Sequence, residues 1–185
     1  MTLKETINFY LDRDKYGEFS NFFRGAPFRH LLGGAWSSSE HFFQAMKFVT
    51  TDLEWAKEIQ RARTPAESAK MGRDRKHPLR EDWEDIKDDV MRVALFYKFT
   101  QNPALMYFLR GTKDAILVEH TVNDAYWGDG GDGTGKNMLG KLLMEIRDTE
   151  NEQKKGNQTK DLLGLWLREH NGWVRASYKV WEGEE

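Results

Sequence analysis

Three polar side chains recur at helical spacing in the segment SSSEHFFQAMKF. Glu40, Gln44 and Lys47 stand at positions i, i+4 and i+7, so an α-helix would place them on one stripe. The apolar residues around that stripe are Phe42, Phe43, Met46 and Val49. A carboxylate and an amine enclosed in this way would have shifted pKa values and could act as acid, base or nucleophile. An ordinary exposed helix face is the simpler alternative.

The second candidate is the glycine-rich loop NDAYWGDGGDGTGKNMLG, residues 123–140. It matches G-x-G-x-x-G and most of G-x-x-x-x-G-K-[ST], but Asn137 stands where the second pattern needs a hydroxyl group. The first pattern needs a preceding strand, and NDAYWG is a poor one. Asp129 and Asp132 would also repel a phosphate. We therefore expect neither a nucleotide triphosphate loop nor a dinucleotide loop.

The same loop brings carboxylates together with an indole ring. These residues are Asp124, Asp129, Asp132 and Trp127. After them, Lys136 and Asn137 open a helix whose free amide groups could hold an anion. The combination suits a substrate with a sugar, a base and a phosphate, whereas a solvated turn with capping aspartates is the simpler alternative.

Further polar candidates lie in two other segments. RDRKHPLR, which contains Arg73 and Arg80, is either a solvated basic loop or a phosphate clamp. Glu18 and Asn21 in YGEFSNF either form turn hydrogen bonds or bind substrate. The chain has no cysteine, its five histidines are isolated in sequence, and no calcium-loop pattern occurs. Neither a metal site nor a cofactor is indicated.

Composition restricts the class of protein. The 185 residues are 39% hydrophobic and 31% charged, which is typical of a folded domain with one main core. A formal net charge of −2 gives no general attraction to nucleic acid, so contacts with phosphates would need a local basic patch. Without a secretory signal or an apolar run of ~20 residues, a cytoplasmic protein with no membrane partner is expected.

The elements that must position these residues are mostly helical. Residues 7–36 are expected to be irregular or to form short strands, and Ser37 has capping-box spacing with Glu40 ahead of the first helix. Later helices are expected at about 52–62, from Pro65, at 83–100, at 103–111 and from 138, with a strand at 115–120.

The last 36 residues have a different pattern. ENEQKKGNQTK is typical of a linker, DLLGLWLREHNG predicts a short helix, and WVRASYKVW alternates like a strand. The chain is therefore expected to consist of a domain over residues 1–149 and a C-terminal extension over residues 150–185.

Several segments together resemble a known family. INFY, YGEFSNF, WSSSEHFFQAMKF, MGRDRKHPLR and LVEHTVNDAYWGDGGDGTGKNMLGKLLMEIR have the order and spacing of the YbiA-like, or NADAR, proteins over about residues 7–149. The resemblance implies a single mostly α domain, α+β with small β elements. It also implies hydrolysis of N-glycosidic bonds. The substrate would be a phosphoribosylamino-pyrimidine intermediate of riboflavin biosynthesis, which releases ribose 5-phosphate, or ADP-ribosylated guanine in DNA or RNA.

This chemistry suggests roles for the candidates. Glu40 is expected to be the general acid/base, with Asp129 or Asp132 contacting ribose or water. Alternatively, Lys47 captures the ring-opened ribose as a Schiff base. The base is expected to lie between Trp127 and either Trp36 or Phe19. The phosphate is expected on Lys136 and the helix start at Asn137, with Arg73 or Arg80 as a partner. A third hypothesis is a non-catalytic sensor of ADP-ribose, but the intact Glu40 and Lys47 argue against it.

Overall fold

The computed structural model describes residues 4–30, 32–154 and 172–183. Its α-helices are α1 (Ser39–Met46), α2 (Leu53–Gln60), α3 (Pro65–Met71), α4 (Trp83–Thr100), α5 (Pro103–Gly111), α6 (Met138–Lys154) and α7 (Gly172–Glu182). Its strands are β1 (Thr6–Phe9), β2 (Phe28–His30), β3 (Gly34–Trp36) and β4 (Ile116–Glu119). The prediction of a mostly α fold with small β elements is confirmed.

The strands form two small sheets. β1 pairs in parallel with β4, from Thr6 opposite Ile116 to Phe9 opposite Glu119, and β2 pairs with β3 in an antiparallel hairpin. Because β1 and β4 are parallel, their carboxyl ends lie side by side, and the residues that follow both strands reach the same edge. In open α/β sheets this is the edge where ligands bind.

α4 lies at the centre of the helical packing and contacts α1, α5 and α6. Phe42 and Phe99 are fully buried in the core that these helices share. Lys98 is also fully buried, and its Nζ donates a hydrogen bond to the carbonyl of Ser20 at 2.8 Å. The long helix therefore anchors the loop that follows the short 3₁₀ turn at Gly17–Phe19.

Side-chain capping fixes the starts of α1, α2 and α3. Asp52 and Thr64 cap α2 and α3 by accepting hydrogen bonds from Trp55 N and Glu67 N. The cap of α1 is Ser38 instead of Ser37, and its hydroxyl accepts from His41 N. The Glu40 carboxyl is thus not the acid of a capping box and is left to face a cavity.

The C-terminal extension departs from its prediction in two places. α6 continues to Lys154, so the first residues of the expected linker are helical. WVRASYKVW forms α7 and not a strand, because Trp173, Ser177 and Trp181 fall at i, i+4 and i+8 and face the core. The expected short helix in DLLGLWLREHNG lies outside the described residues. No helix in the described part of the chain is both long and apolar enough to cross a membrane.

Candidate active site

A cavity of about 360 Å³ lies beside α1, at the carboxyl ends of β1 and β4. Seven residues predicted from the sequence line it: Asn21, Glu40, Gln44, Lys47, Arg73, Asp124 and Trp127. They come from four separate segments of the chain. The structure therefore supports the hypothesis that α1, the basic segment and the glycine-rich loop contribute to one site.

α1 contributes the stripe expected from its sequence. Glu40, Gln44 and Lys47 all face the cavity although each is less than a tenth exposed. Gln44 Nε2 donates to Glu40 Oε1 at 2.7 Å, which fixes one carboxyl oxygen. The simpler alternative of an exposed helix face is therefore wrong.

The loop before α1 holds the start of that helix. Glu40 N donates to the carbonyl of Asn21 at 3.2 Å, and Ser39 Oγ donates to Asn21 Oδ1 at 2.9 Å. The same loop is anchored from behind by Lys98 through the carbonyl of Ser20. Asn21 is thus fixed at the wall of the cavity before any ligand arrives.

Carboxyl groups crowd the cavity. Glu119, the last residue of β4, lines the cavity, and burial together with the charges of Asp124, Glu40 and Asp129 raises its pKa to about 8. Burial likewise raises the pKa of Glu40, although Gln44 and nearby cations oppose the shift. A carboxyl group that keeps its proton near neutral pH can serve as a general acid.

Lys47 is the amine of the site. Burial lowers its pKa to about 8, and the positive charges of Arg75 and Arg73 act in the same direction, while Glu40 opposes them. Its Nζ lies 5.4 Å from the centroid of the Phe43 ring and 5.5 Å from that of Trp83. An amine with this pKa is partly neutral at pH 8, so it can act as a nucleophile.

The glycine-rich loop places Trp127 in the cavity wall. Its indole makes an edge-to-face contact with Phe43, with the centroids 5.3 Å apart. Asp124 Oδ1 accepts hydrogen bonds from the backbone N–H groups of Tyr126 and Trp127, both at 2.7 Å. Asp124 therefore shapes the turn that presents Trp127, in addition to lining the cavity.

Sequence reasoning missed eight of the residues that line the cavity, of which Glu119, Tyr10 and Phe22 matter most for the chemistry. Glu119 carried a usable signal, because it ends a strand, but its parallel pairing with β1 was not predicted. Tyr10 and Phe22 also line the cavity and remain 36% and 37% exposed. Asn123 Nδ2 donates to Tyr10 Oη at 3.1 Å, which links the ends of the two strands across the rim.

The structure corrects the aromatic assignment. Trp36 and Phe19 are fully buried in the core, so neither can stack on a substrate base. The Trp36 indole packs edge-to-face on Phe42, and its Nε1 donates to the carbonyl of Leu32 at 2.7 Å. The prediction that one of them lies opposite Trp127 is wrong, because Trp36 at the end of β3 and Phe19 in the 3₁₀ turn both point into the core.

Asp129 and Asp132 of the glycine-rich loop make structural contacts away from the cavity. Asp129 accepts hydrogen bonds from Thr121 N and Gly131 N and pairs with His120 Nδ1 at 2.8 Å. Asp132 is exposed and accepts from the N–H and hydroxyl groups of Thr134. Neither residue lines the cavity, so the structure does not support the expected contact with ribose or water.

The expected anion seat at the start of α6 is also wrong. The backbone N–H groups of residues 136–139 donate to the carbonyls of residues 125–128, so they are already occupied. Asn137 adopts φ 50°, and its side chain bonds Glu119 N and the carbonyl of Leu117. Lys136 Nζ lies 4.6 Å from the centroid of the Tyr126 ring. These residues tie the loop to β4 and do not line the cavity.

Arg80 and Glu18, which were also predicted to bind substrate, lie outside the cavity. Arg80 is buried beneath the carboxyl end of α1, where it pairs with Asp82, and is not a phosphate clamp of this cavity. Glu18 lines a separate groove with Phe23 and Phe108. Of the cations expected to bind phosphate, Arg73 is the one that reaches the cavity in the described part of the chain.

Comparison with known proteins agrees with these features. The NADAR domain family matches residues 8–149. N-glycosidase YbiA of Escherichia coli (strain K12) is 54% identical over 142 residues, which cover 77% of this chain and 86% of that protein. A riboflavin biosynthesis protein of Vibrio vulnificus (strain YJ016) is 38% identical over 79% of this chain and 39% of its own length.

The fold is similar to a solved structure as well. The NMR structure of the E. coli protein YbiA superposes with a TM-score of 0.74 and 50% sequence identity, covering 83% of this chain and 89% of that chain. Sequence and fold thus agree over the segment that forms the cavity. The chain belongs to the NADAR family and, with these relatives, to its N-glycosidase enzymes.

Proposed function

We propose that this protein hydrolyses the bond between ribose and the exocyclic amine of a phosphoribosylamino-pyrimidine, releasing ribose 5-phosphate. The observation that carries the proposal is the enclosure of Glu40, Glu119 and Lys47 in one small cavity. Cleavage of such a bond needs a proton for the leaving nitrogen and a nucleophile for the ribose C1 carbon. Both kinds of group face the same space.

In the direct route, water is the nucleophile. Protonated Glu40 donates to the leaving nitrogen as the bond between C1 and nitrogen breaks, and positive charge builds on the ribose. The negative charge of Asp124 at the cavity wall stabilises that charge. Water adds to C1, and its proton returns to a carboxylate, so the products are the free amine and ribose 5-phosphate.

In the second route, Lys47 is the nucleophile. Opening of the sugar ring gives an imine between C1 and the exocyclic nitrogen, and neutral Lys47 Nζ adds to C1. The pyrimidine amine leaves with a proton from Glu40, and water then hydrolyses the imine that links C1 to Lys47. Burial favours this route because it keeps part of the lysine neutral.

The aromatic rim suits the leaving ring of the substrate. Phe22 and Tyr10 expose more than a third of their surface at the cavity, whereas Trp127 forms part of its wall. Flat heterocycles bind well to such rings by stacking. Arg73 is the proposed partner of the phosphate, because its guanidinium can bind two oxygens at once.

Cavity size favours a small substrate over a polymer. About 360 Å³ lies near the lower end for small-molecule sites, so a ribosylamine phosphate would fill it. ADP-ribose on a nucleic acid would have to extend past Tyr10 and Phe22. The similarity to a protein named for riboflavin biosynthesis supports the first substrate.

The test compares two substrates directly. The full chain is incubated with phosphoribosylamino-pyrimidine and, separately, with ADP-ribosylated guanine DNA, and base release is followed by chromatography. We expect release from the pyrimidine and a loss of about 10²–10⁴-fold in Glu40→Gln. Glu81→Gln, an exposed carboxylate outside the cavity, serves as the control. Base release from the DNA alone would show that ADP-ribosylated guanine is the substrate. Release from neither compound would refute the proposed hydrolysis.

Borohydride separates the two routes. If Lys47 forms the imine, reduction during turnover leaves a ribosylated Lys47 peptide that mass spectrometry detects. The adduct should be absent in Lys47→Ala. Rapid turnover without any adduct would instead support direct attack by water.

A further inference from the structure

The C-terminal helix α7 packs against the core behind the candidate active site. It lies beyond residue 149, where the family match ends. Ser177 is fully buried and Trp173 nearly so, while the Trp181 ring lies 5.8 Å from that of Trp36. α7 is therefore an integral part of the described structure and not a solvent-exposed appendage.

A glycine makes this docking possible. Gly33, in the turn between β2 and β3, has φ +73°, and a Cβ atom there would lie 2.6 Å from Cζ2 of Trp181. Gln60 of α2 donates to the carbonyls of Gly33 and Ala35, which holds the turn in place. The surface that receives α7 is thus shaped for a large ring.

Arg80 connects α7 to the end of α1. Its Nη1 donates to Ser177 Oγ at 3.1 Å and to the carbonyl of Met46 at 3.5 Å. Its backbone N–H donates to the carbonyl of Lys47 at 3.0 Å. These are carbonyls of the last turn of α1, which the helix leaves without partners, and a cation near them is favourable.

The same segment reaches the Lys47 side chain. Trp83, three residues after Arg80, donates its backbone N–H to the carbonyl of Arg80 at 3.3 Å. The Trp83 ring lies 5.5 Å from Lys47 Nζ. Residues 80–83 therefore hold Lys47 at its backbone and at its amine, and Ser177 holds Arg80 from the other side.

We propose that α7 positions the active-site lysine. Through Ser177 and Arg80, α7 fixes the carboxyl end of α1 and the Trp83 ring beside which the Lys47 amine lies. Ser177 and Arg80 are positioning residues and touch no substrate. The inference rests on the proposed role of Lys47 for its effect on turnover, but its effect on the amine can be measured without any substrate.

The reactivity of the Lys47 amine shows whether α7 supports it. Several charged groups act on Lys47: Glu40 of α1, Arg73 and Arg75 after α3, and Glu84 of α4. Loss of the support from α7 would admit water around Nζ, and hydration restores the charged form. The pH at which Lys47 becomes reactive should therefore rise.

The experiment uses the full chain with Ser177→Ala, Trp181→Ala and the exposed control Lys179→Ala on the same helix. Reductive methylation with formaldehyde and cyanoborohydride is run across pH, and modification of the Lys47 peptide is quantified by mass spectrometry. We expect the midpoint to rise by about one pH unit in the first two variants. It should stay unchanged in Lys179→Ala, and Ser177→Thr, which keeps the hydroxyl group, should retain the original midpoint.

Turnover gives the second measurement. A displaced nucleophile lowers kcat by about ten-fold in Ser177→Ala with little change in KM, since substrate contacts remain. A lower melting temperature with unchanged kcat and an unchanged methylation midpoint would overturn the inference, because α7 would then be a structural support only. A raised midpoint in a protein that releases no base would leave the positioning intact and refute the proposed function.

Discussion

At the level of single residues, the arrangement of carboxyl groups decides what the cavity can do. Glu40 and Glu119 approach it from α1 and β4, and the negative charge of Asp124 adds to the burial that raises both pKa values. Crowded carboxyls cannot all ionise together at neutral pH. The site therefore holds a transferable proton beside the carboxylate of Asp124, which can stabilise positive charge.

Glu119→Gln tests this crowding through stability. A carboxyl whose pKa is raised on folding binds its proton more tightly in the folded state. Its contribution to stability is therefore present below its ordinary pKa of 4.5 and lost as the pH rises through about 8. The variant cannot ionise, so its free energy of unfolding should exceed that of the native chain by about 4–5 kcal/mol at pH 9, at about 1.4 kcal/mol for each pH unit between 4.5 and 8. Urea unfolding measures both proteins.

The comparison at low pH is the control. At pH 4 Glu119 is protonated in both the folded and the unfolded chain, so the two proteins should then differ only by the swap of a carboxylic acid for an amide. An equal difference at pH 4 and pH 9 would show that Glu119 ionises freely in the folded protein and that the crowding is absent.

The side chain of Gln44 leaves no room for a Cβ atom at Gly72. It caps α3 at φ −64°, an angle that alanine also adopts, yet an added Cβ would lie 1.8 Å from Gln44 Oε1. Gly72→Ala should push Gln44 away from Glu40 and lower kcat by about ten-fold, with a loss of stability of about 1–3 kcal/mol. Base release and thermal unfolding measure the two effects.

Gly111→Ala is the matched control for this prediction. Gly111 ends α5, and an added Cβ meets no atom within 4 Å. The change should leave kcat unchanged and stability equal or slightly higher. Equal activity in both variants would show that the Gln44 position is not needed for catalysis.

At the level of elements, α1 does most of the positioning. Ser38 fixes its start, Arg80 binds the carbonyls of its end, and one face carries the acid, the amide and the amine. An eight-residue helix is too short to be stable alone. Its geometry therefore depends on these end contacts and on packing against α2, α3 and α4.

Ser38→Ala should affect both stability and activity. The hydroxyl accepts from His41 N and lies 2.7 Å from His41 Nδ1, so its loss should cost about 1–2 kcal/mol. Fraying of the first turn also moves Glu40, which should reduce kcat by several-fold. Chemical unfolding and base release are measured on the same preparation.

Asp52→Ala, which removes the cap of a different helix, is the matched control for Ser38→Ala. Asp52 caps α2, another helix of eight residues, and likewise contacts a histidine, His77. We expect a similar loss of stability with kcat retained, because α2 does not line the cavity. If both variants lose activity equally, global destabilisation and not the position of Glu40 is responsible.

At the level of the whole molecule, charge separates the two kinds of substrate. The net charge is −2, and Lys47 and Arg73 are the cations of the cavity in the described part of the chain. A small phosphate needs one or two ionic contacts, whereas a nucleic acid engages many. Electrostatics therefore favours a free nucleotide-like molecule.

Salt dependence measures this difference. For the ribosylamine phosphate, kcat/KM should fall by no more than about ten-fold between about 50 and 200 mM salt, as expected for one or two phosphate contacts. Arg73→Ala should flatten the dependence further and raise KM. A fall of about a thousand-fold or more would indicate many phosphate contacts and hence a nucleic-acid substrate.

The sequence by itself determined the family, the main helices and the stripe of Glu40, Gln44 and Lys47. These features depend on local periodicity, capping and motif order, which can be read directly from the amino-acid sequence. Local information also misled: WVRASYKVW fits alternation as well as helical spacing, and packing against Trp36 and Arg80 selects the helix.

Only the tertiary structure decided which polar residues share the cavity. Parallel pairing of β1 and β4 brings Tyr10 to Glu119, although more than a hundred residues separate them. The tertiary structure also buries Trp36 in the core. The backbone N–H groups around Asn137 donate hydrogen bonds to loop carbonyls and so are not free to bind an anion. Long-range pairing and burial decide these positions, and neither has a local pattern in the sequence.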